Sequence, residues 1–418
     1  MLTAASATRT LRGRGTVGRM QPAKHIFDNS VFDDRLHAEC REAAASGPVA
    51  TDSMTGAHVV LRHADVEALA HSKNLVGVGM TLFDFMGIEN GPLRDWYSGL
   101  MFTNEGDAHH RLRRLVQIAF TPRSVDRLRN DAALEAGKRM QRLVNDGGGD
   151  LVQAFSRFPT WMMCRLIGVP EGDAALFGGW LDTLSPVFGF MEPEQIQAAD
   201  LAIIDLLAYV EQLVEHRSAQ PGDALVDGLI AASAEGDRLS PHEVAAMIAN
   251  LLVGGHDTTE SQLACVLLRL LRHPQQAARV RDDSSLASSA VSEGTRIEPS
   301  LPVIPRTVSV PFDLIGQRVE VGELVFLSVA SANRDPAAWS APDAFDLDRF
   351  ATSGSSKLLS FGAGAHYCLG TSLAKLTMEQ SVAALASARP VEPTLDPWTL
   401  PWRCVLGRSP TTMPVSVS

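Results

Sequence analysis

Phe361-Gly362-Ala363-Gly364-Ala365-His366-Tyr367-Cys368-Leu369-Gly370 places a cysteine at the end of a glycine-spaced loop. An apolar-periodic stretch from Leu369 through Ala384 follows, so the cysteine stands at the start of a helix. Glycines let a backbone approach a flat ligand closely. The unpaired N–H groups and positive dipole end of a helix stabilise a thiolate. A thiolate presented in this way suits an axial bond to iron. The competing reading is a buried cysteine in a turn, but six specified positions in ten recur by chance on the order of 10⁻⁶ to 10⁻⁵ per chain.

Cys40, Cys164, Cys265 and Cys404 are scattered, with no C-x-x-C pair, which excludes a disulfide scaffold and argues against structural zinc. They read as ordinary buried thiols in a reducing cytosol. The chain has 418 residues, a net charge of −11 and 45% hydrophobic content. An acidic body argues against nucleic-acid binding, and no apolar run approaches the roughly 18 residues of a membrane span. Residues 1–25 carry Arg9, Arg12, Arg14, Arg19 and Lys24 and no acid. They read as a disordered basic tail, with a transit peptide as the alternative, and residues 26–418 as the globular body.

Helical spacing dominates from about Arg111 to Arg272, with Ile203, Leu206, Leu207, Val210 and Leu213 on one face. Strand-like runs are short and late, at Thr307–Val310 and Leu324–Val329. These proportions predict one mainly α domain with a small β portion. Ser240-Pro241-His242-Glu243 combines an N-cap serine, a proline at the first helical position and a capping-box glutamate. The helix they open runs to Arg272-His273, where Pro274 stops it. Gly254 and Gly255, poor helix formers at its centre, imply an interruption with something seated against it.

The cysteine loop resembles the haem-binding signature of the cytochrome P-450 family, F-G-x-G-x-H-x-C-x-G, at every defining position. The resemblance implies the fold of that family, a single large domain around a buried haem b (iron protoporphyrin IX). It makes Cys368 the axial iron ligand, with Phe361, Gly362, Gly364 and Gly370 shaping the loop and His366 at a haem propionate. Gly254-Gly255-His256-Asp257-Thr258-Thr259 is similar to the family's oxygen-activation motif. There the Thr258 hydroxyl takes a backbone partner and opens a groove, and Asp257 relays protons. Glu293-Gly294-Thr295-Arg296 matches the E-x-x-R pair, which joins Arg349 in a buried structural network. His109 and Arg113, four apart on a helix, and Arg306 match the propionate cations that make burial of those anions affordable. Glu105-Gly106-Asp107-Ala108 departs from the usual D-P-P-E before that histidine, and Gly294 and Thr295 are weak helix formers.

The implied activity is a cytoplasmic monooxygenase that inserts one O2-derived oxygen atom into a lipophilic small molecule of secondary or lipid metabolism, by hydroxylation or epoxidation. No G-x-G-x-x-G opens a flavin or nicotinamide fold, so this chain carries no flavin and electrons come from outside. The resemblance implies a ferredoxin and its reductase, with Arg111, Arg114 and Lys375 placed to steer an acidic partner. Phe83, Phe85, Met86, Trp96, Phe188, Leu301, Val303 and Ile304 fall in segments that line the family's substrate pocket. The expected state is a monomer. A peroxide-driven oxygenase or isomerase on the same haem, and a gas-binding haem sensor, are the alternatives; Asp257-Thr258 favours O2 use.

Overall fold

The computed structural model describes residues 25–27, 33–234, 240–350 and 356–418, so the expected basic tail lies, His25 apart, outside the described residues. Helices make up 58% of the structure. Those that concern the site are α1 (Arg35–Ser46), α2 (Gly106–Ala119), α3 (Phe158–Ile167), α4 (Ala174–Leu184), α5 (Pro193–Ala219), α6 (Pro241–Arg272), α7 (Ala287–Ile297) and α8 (Thr371–Ser387). The strands that concern it are β1 (His25–Ile26), β2 (Val49–Asp52), β3 (His58–Val60), β4 (Leu75–Val76), β5 (Val303–Val308), β6 (Leu324–Ser328), β7 (Trp402–Cys404) and β8 (Arg408–Pro410). The first six form one sheet in the order β1-β2-β3-β6-β5-β4, and β7 and β8 form a hairpin. One large apolar core runs through the helices, and two smaller ones back the sheet.

The longest helix begins as its sequence dictates. The Ser240 hydroxyl accepts the Glu243 N–H at 3.2 Å, and the Glu243 carboxylate accepts the Ser240 N–H at 2.8 Å. Thirty-two residues make α6 about 48 Å long, and it packs on α3, α5, α7 and α8. The expected interruption does not occur: α6 stays regular through Gly254 and Gly255. Gly255 instead serves packing, because a Cβ there would lie 3.1 Å from Cε of Met163 on α3. The face expected on α5 is the buried one, with Ile203, Leu206, Val210 and Leu213 inside.

The late strands differ from expectation at their ends. The strand expected over Thr307–Val310 starts at Val303 and ends at Val308. Ser309 donates its N–H to the Asn74 carbonyl at 2.8 Å, and Pro311 has no N–H to continue a ladder. The strand expected to end at Val329 stops at Ser328, whose hydroxyl accepts the Ser331 N–H at 3.3 Å and caps a short helix beginning at Val329.

A buried ionic hub ties these layers together. Glu298, just past α7, is fully enclosed and receives guanidinium N–H groups from Arg269 of α6 and Arg408 of β8. Its Oε1 lies 2.8 Å from Nε2 of His37 on α1. Arg408 also donates to the Asp33 carbonyl at 2.9 Å and lies over the Trp402 ring at 3.9 Å. Burial favours the uncharged carboxyl, but His37, Arg269 and Arg408 hold Glu298 well below the usual carboxylate range. Burial, reinforced by Arg334, pushes His37 down to about 3.

His37 is therefore neutral in the native protein at pH 7, whereas the unfolded chain takes up a proton near the ordinary value of 6.5. Its contribution to stability falls as pH drops from about 6.5 toward 3, because the unfolded state then binds the extra proton. Glu298 adds its own loss only below its unfolded value of 4.5. The melting temperature of His37→Gln is accordingly expected to depend less steeply on pH between 6.5 and 5 than that of the parent. Equal slopes in scanning calorimetry would assign the dependence to another group.

Candidate functional site

The cysteine loop is shaped by two left-handed glycines. Gly362 has φ +74° and Gly364 φ +69°, and a Cβ on Gly364 would also sit 2.5 Å from the Ala70 carbonyl. Only glycine satisfies both the dihedral and the contact. The Cys368 N–H donates to the Phe361 carbonyl at 2.8 Å and closes the loop, and the Thr371 hydroxyl donates to the Cys368 carbonyl at 2.8 Å where α8 begins. Cys368 is exposed although it lies deep among protein atoms. Burial raises its thiol above the ordinary range, while the Gly370 N–H, Thr371 and the charge of Arg113 pull the other way. Those three would stabilise a thiolate once a metal removed the proton.

Two arginines and two histidines converge beside this loop. Arg113 of α2 donates to the Tyr367 carbonyl at 2.7 Å. His109, one turn earlier, lies with its ring centroid 4.3 Å from that of His366. Burial, with His366 and Arg113 close by, lowers His109 to about 4, so it is neutral at pH 7. Its Nε2 is enclosed without a hydrogen-bond partner. Arg306 shares a face of β5 with Ile304, whose Cδ1 would lie 4.0 Å from a Cβ on Gly362. Burial lowers the pKa of Arg306, which among the described residues donates to the neighbouring Pro305 carbonyl at 3.0 Å.

On α6, the Thr258 hydroxyl donates to the Gly254 carbonyl at 2.8 Å, sharing it within an intact helix. Gly254 is exposed, and a Cβ added there would meet nothing within 4 Å. Ser300, at the approach to β5, donates its hydroxyl to the Thr258 carbonyl at 3.4 Å, which joins α6 to the strand carrying Arg306. Asp257 is more tightly held than a free relay would be. It accepts Arg403 Nη1 at 2.8 Å and the backbone N–H groups of Leu406 and Gly407 at 3.2 and 2.8 Å, all from the β7–β8 hairpin.

Glu293, Arg296 and Arg349 meet in one buried cluster. Arg296 forks onto both oxygens of Glu293 at 2.7 and 2.8 Å, and Arg349 Nε lies 2.9 and 3.1 Å from the same pair. Glu293 and Arg296 have no solvent access. The network reaches the loop through Asn333, whose carbonyl accepts from Arg296 and whose side chain binds the Leu359 N–H and the Ser360 hydroxyl. Gly294, weak in a helix, is explained by packing: a Cβ would sit 3.0 Å from Cγ2 of Val266 on α6.

The expected pocket residues separate into three groups. Phe83 and Trp96 are 0% and 5% exposed and packed in the core around Tyr97, whose ring lies 4.2 Å from that of Phe83. Phe85 is 70% exposed and meets the edge of Phe190 at 5.4 Å. Met86, Phe188, Leu301, Val303 and Ile304 are half-buried and remain able to face a ligand. Of the cations expected at a docking face, Arg111 pairs with Glu243 at 3.4 Å and Lys375 lies over the Phe361 ring at 5.7 Å. Sequence reasoning missed Arg403 and the capture of Asp257, since partners 146 residues apart leave no local pattern.

An exposed cysteine on a glycine loop, an enclosed His109 Nε2 in want of a partner and two arginines fit a haem held by its iron and its propionates. The cytochrome P450 family model matches residues 180–393. Luteothin monooxygenase of Streptomyces thioluteus is 30% identical over 91% of this chain and 91% of its own length. The vitamin D(3) 25-hydroxylase of Pseudonocardia autotrophica is 34% identical over 70% of each chain. The crystal structure of CalO2 superposes with a TM-score of 0.85 at 25% identity, covering 93% of this chain and 98% of that one.

Glu293→Gln would leave two enclosed guanidiniums without their carboxylate. A loss of about 3–5 kcal/mol is expected, measured by thermal unfolding. A loss below about 1 kcal/mol would show that the backbone carbonyls around Arg296 suffice.

Proposed function

The chain belongs to the cytochrome P450 family and is a monooxygenase of it; from that premise we propose that it inserts one O2-derived oxygen atom into a lipophilic small molecule, using haem b held by the Cys368 thiolate. The observation that carries this reading is the exposed Cys368, set at the start of α8 beside Arg113 and the unpartnered His109 Nε2. Haem bound through that sulfur supplies the oxygen chemistry, the thiolate pushing electron density toward O–O cleavage.

The chain's own residues position and deliver. His109, Arg113 and Arg306 supply donors and charge for the propionates, with His366 beside them. Thr258 holds a hydroxyl on α6, and Asp257 returns protons toward it from the hairpin side, where Arg403 is 30% exposed. That delivery requires Asp257 to loosen its bonds to Arg403 and the hairpin N–H groups. Met86, Phe188, Leu301, Val303 and Ile304 offer an apolar wall, which favours a lipophilic substrate. Among the described residues no helix is long and apolar enough to cross a membrane. We place the enzyme in the cytoplasm as a monomer served by a ferredoxin and its reductase, with the exposed Arg114 among the steering charges.

Two measurements test this. Lipophilic compounds are expected to shift the haem absorption of the parent protein by displacing iron-bound water, and a broad screen without any shift would argue against a lipophilic substrate. Thr258→Ala is expected to keep consuming reductant while product falls several-fold and released hydrogen peroxide rises. Unchanged coupling of reductant to product would remove Thr258 from proton delivery.

A further inference from the structure

Glu105 stands at the N-cap of α2, where an acidic side chain ordinarily accepts from the first helical N–H groups. It makes no such cap. Its carboxylate turns outward instead and accepts the Gly77 N–H at 2.7 Å, with both oxygens 3.1 Å from Nε2 of His366. The approach is shaped for it. A Cβ on Gly77 would lie 2.9 Å from the Phe102 carbonyl and 3.3 Å from Oε1 of Glu105. Burial favours the protonated acid, yet the Gly77 N–H, His366 and the charge of Arg306 keep Glu105 below the usual carboxylate range.

The partners of this carboxylate are the groups assigned above to the haem propionates. His366 is bonded to it, Arg306 lies within its electrostatic reach, and His109 is stacked on His366 and feels the same charge. A propionate offers those groups the same chemistry: two oxygens and one negative charge. One imidazole N–H serves one strong acceptor well, and a second carboxylate beside Arg306 divides its attraction.

Resting on the haem reading, we propose that Glu105 is a built-in competitor for a haem propionate, which gathers His366 and Arg306 and weakens their grip on the cofactor. Glu105 is thereby a positioning residue whose removal strengthens cofactor retention. A residue that merely braced the loop would act in the opposite sense, since its loss would free the loop and hasten cofactor escape.

The test is the rate at which the holoenzyme surrenders haem to excess apomyoglobin. Glu105→Gln, which keeps the shape and removes the charge, is expected to slow haem loss about tenfold, the scale of one charge-assisted hydrogen bond. Glu105→Asp, too short to span to His366, should move in the same direction. The propionate bending mode in the resonance Raman spectrum of both variants should shift, because it reports hydrogen bonds at the propionates. Haem loss at the parental rate or faster, or an unmoved propionate mode, overturns the proposal. If the haem reading itself were wrong, the parent would show no thiolate-type spectrum for Cys368→Ser to abolish, so the two failures are distinct.

Discussion

Glu293 has no contact with water, and a carboxylate in that position persists only if every acceptor site is filled. Arg296, Arg349 and the Asp346 N–H fill them. Because Arg296 then donates its remaining N–H groups to the carbonyls of Asn333, Pro342 and Ala344, one ion pair ties Asn333 to the Pro342–Ala344 stretch. Asn333 passes that order to Leu359 and Ser360, the residues that lead into the glycine loop. The sulfur of Cys368 is thus positioned from below by electrostatics, while Gly362 and Gly364 give the backbone the turns it needs.

A second carboxylate, Glu298, does for α6 what Glu293 does for the loop. Its arginines belong to α6 and to the β7–β8 hairpin, and the same hairpin caps Asp257 with two backbone N–H groups. Gly407 allows this approach, since a Cβ there would meet Ser261 at 2.7 Å. Thr258 therefore sits on a helix fixed at several points, and its neighbour Asp257 is held by the hairpin. Rigid elements hold the Thr258 hydroxyl, and the contacts of Asp257 with the hairpin lie one residue away.

Local chemistry made much of this legible in the sequence. A cysteine behind spaced glycines, a capping box before a long apolar helix and a proline stop are patterns within ten residues, and each appears in the structure where it was read. The E-x-x-R pair was legible for the same reason, because a spacing of three fixes a common face. Contacts between distant residues were not: nothing beside Arg403 marks it as the partner of Asp257, nor His37 as that of Glu298. Phe83 and Trp96 show another limit, since apolar side chains in a pocket-bearing segment look alike whether they face a ligand or the core. Gly254 and Gly255 show a third. Helix propensity argued for a break, and tertiary packing against α3 removed the need for one.

The bond from Arg408 to the Asp33 carbonyl joins residues 375 positions apart, and Arg408 meets Glu298 across 110. Contacts of that span form only after the intervening chain has been ordered, since closing so long a loop costs entropy before it gives anything back. The Glu298 hub is therefore expected to close late in folding. Bonds absent from the transition state leave the folding rate nearly untouched and slow unfolding instead. The hub thus acts on the lifetime of the native state more than on the speed of reaching it, as a kinetic fastener that joins the N-terminal segment, the long helix and the C-terminal hairpin.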